Sequence, residues 1–557
     1  MITDVFRHLK NKVLDLLLNY PQIWILGAGI ALRVKHLAEN RPLWLDESYV
    51  AVNITSRTWS EILSGHEILP EFARQPMLFS LVEKSLVSLF GNTELTLRIF
   101  PFLSGIAALA LFAVAAKKVL RPGAYLIALA LFALAEPLVY YSAELKQYST
   151  DLLCAILLTG AARILLKKGF LPGHCLAIAF LGALILWLSN AMIFVLAGIG
   201  VVILWNKPWV KGGRVIACLC ATAAFWALSF LLLYYLSLRF MVGKASITDT
   251  WKGAFCTSPI FSFETIRWAW DVLTLSFSNP VGLKWWGFML PCFLVGARAF
   301  WRKDRNTALL WLTPIVITFL AALTGKYPFY GRVLLFLTAG YYIFIARGID
   351  EILTILPVVA KKWAMPLILC LLFFQPIADA GYNLVHSRSK TDNRSAMEFL
   401  AEYYKPGDFI YLSTLAQEPF WYYAAQTGLS KQFPLPIVGI ADGALIRGFK
   451  IAKFALDPEE INGRQFMFFR SEYIIFNEDG MFRATMGSQK DNGIVSIVPL
   501  DQIFHYPPTG RTWLFLSGPS ALESGVNALI LDSFDKRAKR LLSLDVLNAG
   551  VYLYDMR

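Results

Sequence analysis

The chain has 557 residues, of which 57% are hydrophobic and only 16% charged, against roughly 25% charged in soluble domains; this excludes an ordinary soluble protein and predicts one that spans a membrane. Its formal net charge of +13 would suit a nucleic-acid partner, but residues 387–557 hold 18 basic and 19 acidic side chains. The excess therefore sits in the apolar part, where membrane topology accounts for it, and nucleic acid is set aside as a partner.

About 20 apolar residues cross a bilayer. In chain order such runs fall near 15–34, 99–116, 123–141, 148–166, 171–188, 190–205, 214–238, 285–300, 307–324, 333–347 and 364–382, about eleven spans. Short loops rich in Lys and Arg stay in the cytoplasm, and here they come at every second turn. Arg7, Lys10 and Lys12 precede the first span, Lys117, Lys118 and Arg121 follow the second, and Arg163, Lys167 and Lys168 follow the fourth. Lys207, Lys211 and Arg214, then Arg298, Arg302, Lys303 and Arg305, then Arg347, Lys361 and Lys362 continue the series. The N-terminus is expected inside and everything after about residue 385 outside. The opening segment, basic and then apolar, has the form of a signal peptide; with ten more spans behind it, it reads as an uncleaved anchor.

Two outer connections are long, the first at 35–98 and the fourth at 239–284. The first contains "RPLWLDESYVA" (41–51), read as extended or irregular, which sets Asp46 beside Glu47 in a chain poor in carboxylates. Further on, "PMLFSLVEKSLVSLFG" (76–91) is interrupted by Glu83 and Lys84, which predicts an amphipathic helix in the membrane interface rather than a span. His66, in the same loop, reads as surface rather than as a metal ligand.

Two shorter outer loops hold the other unusual polar residues. "YYSAELKQYSTD" (140–151) carries Glu144 and Lys146, and "TGKYPFYGR" (324–332) carries Lys326, Tyr330 and Arg332. Three loops thus aim acids and cations at one membrane face. That is the equipment a reaction on a lipid-linked phosphate requires: a base to activate the attacking group and cations to offset charge on a phosphate leaving group. Solvated loop charge would look the same, and spacing alone does not separate the two. Of the adjacent acids, Asp46 is assigned the chemistry and Glu47 an orienting role.

From about residue 387 the composition becomes that of a soluble α/β domain. "DFIYLST" (408–414), "YIIF" (473–476), "VSIVPL" (495–500), "TWLFLS" (512–517) and "VYLYDM" (551–556) read as strands. "NRSAMEFLAEYY" (393–404), "PFWYYAAQTG" (419–428) and the stretch around "DSFDKRAKRLLSL" (532–544) read as helices. The expected result is a small parallel or mixed sheet. All seven cysteines, Cys154, Cys175, Cys218, Cys220, Cys256, Cys292 and Cys370, precede this domain, with no CxxC or Cys/His ligand spacing, so the outer domain does not depend on disulfides.

These motifs, in this order, resemble the GT-C superfamily of polyprenyl-phosphate-sugar glycosyltransferases, in particular bacterial membrane proteins akin to protein O-mannosyltransferases and the lipid A aminoarabinose transferase. "WLDESYVA" is similar to the family's signature acids. "QPMLFSLVEKSLVSLFGNTELTLRIFPFLSGIAAL" (75–109) resembles its Pro-Pro-Leu helix, although Met77 stands where many members have a second proline. "YYSAELKQYSTDLL" resembles the second acidic loop, with Lys146 where Arg is usual, and "YPFYGRVLLFL" the Arg-bearing start of a late span. The match covers roughly 30–385 and, more weakly, "NRSAMEFLAEYYKPGDFIYL".

The resemblance implies a polytopic α-helical GT-C membrane domain over 1–386 and an extracytoplasmic α/β domain over 387–557, in a bacterial inner membrane. It implies transfer of a sugar from a polyprenyl-phosphate donor to a glycan, lipid or protein acceptor, with inversion. Asp46 would be the base, Glu47 its organiser and Glu144 a second acid that binds sugar, acceptor or a cation. Lys146 and Arg332 would hold the lipid phosphate with Tyr330 and Lys326 nearby; Arg98 would join them or serve structurally at a helix start. No cofactor is implied with certainty, and a divalent cation is left open. A transporter or flippase of a lipid-linked sugar is the competing reading, but it should show mid-membrane charges and often internal repeats, whereas here the acids gather at one face, mid-span charges are few and no repeat is seen. A non-catalytic polysaccharide-assembly protein is the third.

Overall fold

In the computed structural model the described residues are 19–65, 75–240, 251, 253–259, 261–405, 408–429, 510–518, 527–528, 531–532 and 534–556, with short strand segments within 466–499. His66, Arg7, Lys10, Lys12 and the start of the first expected span lie outside them.

A helix lies at each of the eleven expected apolar runs. They are α1 (Pro21–Ala38), α5 (Ile99–Lys117), α6 (Pro122–Leu134) continued by α7 (Glu136–Tyr140), α8 (Tyr148–Lys168), α9 (Pro172–Leu188), α10 (Met192–Trp205), α11 (Gly213–Leu236), α13 (Trp286–Lys303), α14 (Arg305–Leu323), α15 (Thr338–Ile355) and α16 (Val358–Val385). Six of these segments are long and apolar enough to cross a bilayer, and a seventh is the α6–α7 pair, bent by 54°. α9 and α10 are apolar but shorter.

The bend has a chemical cause. Pro137 has no N–H, so the Ala133 carbonyl loses the donor that a continuous helix would give it. Arg33, buried on α1, donates to the carbonyls of Ala133 (3.1 Å), Phe132 (3.3 Å) and Gly29 (2.8 Å). A cation is tolerated there because in a membrane every backbone polar group must find a partner. Elsewhere small residues set the packing: a Cβ on Gly296 of α13 would lie 1.9 Å from the Phe344 carbonyl oxygen of α15, so only glycine lets these backbones approach so closely.

The described residues of the 35–98 loop form mainly helices. α2 (Leu45–Thr55) contains the two acids, α3 (Trp59–Leu63) carries a Thr58–Glu61 capping box, and α4 (Met77–Phe90) follows. The extended stretch expected around Asp46 and Glu47 is thus corrected: both lie in the first turn of α2, where carboxylates suit the positive end of the helix dipole. α4 is the expected amphipathic helix. It exposes Leu89 and Phe90 and buries Met77, Phe79 and Glu83.

Beyond α16 come α17 (Asn393–Tyr403), α18 (Gln417–Gln426) and a mixed five-stranded sheet. Its strands are β1 (Phe409–Leu412), β2 (Phe466–Phe468), β6 (Gly510–Ser517), β7 (Lys539–Val546) and β8 (Ala549–Met556), in the order β2-β1-β6-β8-β7. β1 runs parallel to β2 and β6, while β8 is antiparallel to β6 and β7. Three further strands, β3 (Ile474–Phe476), β4 (Met481–Ala484) and β5 (Ser496–Pro499), pair antiparallel. The helix expected at 532–544 is corrected. "KRLLSLDV" alternates exposed and half-buried side chains along β7, the period of a strand, and pairs with β8 from Lys539↔Asp555 to Val546↔Ala549.

The C-terminal sheet and the first long loop share one apolar core. Val50, Ala51, Val52 and Ile54 of α2, Leu43 and Leu145 pack with Met397 and Leu400 of α17, Phe420 of α18, and Trp513, Phe515, Val551 and Leu553 of the sheet.

Candidate active site

Successive residues of a helix point about 100° apart, and the two acids accordingly meet different surroundings. Glu47 points inward and is buried. Arg98 grips it with two bonds, Nε to Oε1 at 2.8 Å and Nη2 to Oε2 at 2.7 Å, and the Leu145 backbone N–H donates to Oε1 at 2.8 Å. Burial would raise this carboxyl, but the Arg98 charge and hydrogen bonds outweigh it and hold Glu47 below its ordinary value. Arg98 also donates to the Arg41 carbonyl at 2.5 Å. The pair ties α2 to the start of α5 and to the 144–146 loop.

Asp46 points the other way and forms an ion pair with Arg332. Both side chains keep about a quarter of their surface exposed, 23% and 24%. Arg332 enters a 3₁₀ turn, Gly331–Leu337, and its guanidinium carbon lies 5.3 Å from the centre of the Trp44 ring, 5.7 Å from Trp251 and 5.9 Å from Tyr148, within cation–π range. Its Nε is buried and has no hydrogen-bond partner.

Glu144 and Lys146 are both buried beside this pair. Burial pushes the Lys146 ammonium down from its ordinary value, with Asp46 opposing and Arg332 reinforcing the shift. Glu144 Oε2 accepts from Lys390 Nζ at 3.3 Å, while Oε1 has no partner. Lys390 Nζ also sits 3.4 Å from the centre of the Trp44 ring.

A cavity of about 840 Å³ adjoins Arg332, lined in part by Tyr141, Trp251, Phe263, Trp268 and Tyr330, with Glu264, Arg267 and Asp271 from α12 (Phe263–Ser278). Asp46, Glu144, Lys146 and Arg332 are therefore gathered at one place, Tyr330 borders the adjoining cavity, and Glu47 and Arg98 brace the group from behind. Lys326 is exposed and does not line the cavity. Three participants escape a sequence reading: Trp44, Lys390 and Arg267. Trp44 and Lys390 had a signal, since one stands two residues before Asp46 and the other follows the last apolar run on the same expected side. Arg267 had none beyond its place in a long outer loop.

Among the described residues no group of three or more His, Cys, Asp or Glu side chains converges to hold a metal ion, and the carboxylates of Asp46 and Glu144 each face a cation.

No protein-family model matches the sequence, and no curated protein matches it either. Solved structures do. The chain is similar to ArnT from Cupriavidus metallidurans in the apo state, with a TM-score of 0.52 and 11% identity over 95% of this chain and 97% of that one. The same protein bound to undecaprenyl phosphate gives 0.51 and 11% over the same shares. The oligosaccharyltransferase of Archaeoglobus fulgidus gives 0.45 and 12% over 74% of this chain, which spans 64% of that protein's length. Correspondence over nearly the whole length of both chains means that the chain shares the fold of ArnT, the GT-C fold.

Proposed function

We propose that the protein is an integral-membrane glycosyltransferase that moves a sugar from a polyprenyl-phosphate donor to an extracytoplasmic glycan, lipid or protein acceptor. The observation that carries this reading is Arg332, which pairs with Asp46 on one side, borders the cavity on the other, and keeps Nε unspent. A donor phosphate in the cavity would meet that guanidinium. The aromatic wall of Trp251, Phe263 and Trp268 offers an apolar bed for the first prenyl units. ArnT, whose fold the chain shares, has been solved with undecaprenyl phosphate, which supports the choice of carrier.

In the proposed reaction the acceptor hydroxyl gives its proton to Asp46 as its oxygen attacks the anomeric carbon. The bond from that carbon to the phosphate oxygen breaks, and its electron pair leaves with the phosphate. Attack opposite the leaving group inverts the linkage. Arg332 and Lys146 offset the negative charge that grows on the phosphate, and Glu47, fixed by Arg98, holds the turn that aims Asp46. The same reading puts the N-terminus in the cytoplasm of a bacterial cell and the outer sheet outside its inner membrane.

The test uses full-length protein in liposomes with the lipid-linked sugar that copurifies with it, identified by mass spectrometry. Asp46→Asn is expected to slow transfer by roughly 10²–10⁴-fold, the range for general base catalysis, while undecaprenyl phosphate still binds. Near-wild-type transfer to a hydroxyl acceptor would overturn the assignment of Asp46 as base.

A further inference from the structure

The segment that joins α16 to α17 sends one side chain back into the site. Lys390 is placed by both halves of the molecule. Its carbonyl accepts from Asn548 Nδ2 at 2.8 Å in the β7–β8 turn, and the next residues are held by Asp392 N–H to Leu547 O at 2.8 Å and by Asn393 Nδ2 to Leu43 O at 3.4 Å. From this anchored backbone the ammonium reaches Glu144 at 3.3 Å and the face of Trp44 at 3.4 Å. Trp44 is the ring that also lies under Arg332 at 5.3 Å.

The charges around this point cancel without Lys390, and Lys390 tips the balance. Glu47 and Arg98 neutralise each other. Glu136, also in range of Lys390, pairs with Arg388 at 2.8 Å, which leaves Asp46 and Glu144 against Arg332, Lys146 and Lys390. Without Lys390 two carboxylates face two cations; with it the site carries one positive charge in excess. A polyprenyl phosphodiester bears one negative charge, and the phosphomonoester left after transfer bears up to two. One surplus cation matches the first and favours the second.

We infer that Lys390, supplied by the segment leading into the outer domain, is a phosphate-binding residue of the donor site, reaching the lipid phosphate beside the Trp44 ring that it shares with Arg332. This rests on the reading of the donor as a lipid-linked phosphate. Glu144 then has a defined part: it parks the Lys390 ammonium when phosphate is absent and releases it when phosphate arrives. The exchange leaves the lysine charged throughout and forms or breaks no covalent bond.

Full-length protein in nanodiscs is titrated with undecaprenyl phosphate, with the uncharged polyprenol as control. Lys390→Met is expected to weaken undecaprenyl phosphate binding by about ten- to a hundredfold, the value of a charge-assisted hydrogen bond, and Lys390→Arg to keep most of it. Glu144→Gln, which removes a negative charge and frees Lys390, should tighten binding. A purely structural ion pair predicts the opposite for Glu144→Gln, namely weaker binding and lower thermal stability, so this variant decides the matter even if Lys390→Met folds poorly. Wild-type affinity in Lys390→Met, or weakened binding in Glu144→Gln, would overturn the role of Lys390. Equal binding of undecaprenyl phosphate and polyprenol by the wild-type protein would instead overturn the lipid-phosphate reading, and the inference with it.

Discussion

Asp46 and Glu47 are neighbours with opposite duties, and substitutions should separate them. Glu47 is completely enclosed, held by Arg98 and the Leu145 N–H, and breaking one side of a buried ion pair costs about 3–5 kcal/mol. Glu47→Gln should therefore lower the thermal unfolding midpoint clearly, and unchanged unfolding would show that the pair is not needed for the fold. Lys146 gives a pH signature. Its folded value is pushed below that of free lysine by burial, so the cation is present at low pH and is lost as pH rises through the lowered value. Transfer should decline on the alkaline side earlier than an ordinary lysine would dictate, and Lys146→Arg should extend activity upward because guanidinium does not titrate there. A pH–rate profile identical in both proteins would remove Lys146 from the reaction. At this scale the sequence was informative where rare charge broke apolar surroundings, as with Asp46, Glu144 and Arg332. It was silent on which cation meets which acid, because the partners are hundreds of positions apart.

Elements were legible where their period was long. A membrane span repeats one message over about 20 residues, and a helix stands at every run of that kind. Short elements were less secure. "RAKRLLSL" holds strong helix formers, yet its sheet partner β8 claims the region as β7, a tertiary choice that local preference cannot reveal. The LDES stretch likewise reads as extended or irregular, because its helix draws on burial of Val50, Ala51, Val52 and Ile54 against the C-terminal domain, which the sequence does not display. The bent α6–α7 pair makes a prediction of its own. Arg33→Met would fill similar space but leave the Phe132 and Ala133 carbonyls without their donor. An unsatisfied buried polar group costs about 1–3 kcal/mol, so a lower unfolding midpoint in detergent is expected. Stability equal to wild type would mean that the bend satisfies its carbonyls without Arg33.

For the whole molecule, the alternation of basic loops predicts that the C-terminal sheet lies outside the cytoplasm. Lys536 is well exposed there, with 72% of its side chain open. A Lys536→Cys variant should react with a membrane-impermeant maleimide once the outer face of the inner membrane is open to the reagent. Labelling only after the cytoplasm is opened would invert the topology. The shared core of α2, α17, α18 and the sheet also explains why a boundary drawn by composition near residue 387 separates segments that the fold unites.

The same site has a consequence for biosynthesis. Arg332 and Asp46 are 286 residues apart, and Lys390 and Glu144 are 246 apart. A ribosome delivers Asp46 and Glu144 to the membrane long before either cation exists, so the acids stand without these counter-charges while the intervening segments are made. The centre can close only when the late spans and the segment after them have been inserted. Chains that stall earlier would therefore lack an assembled site.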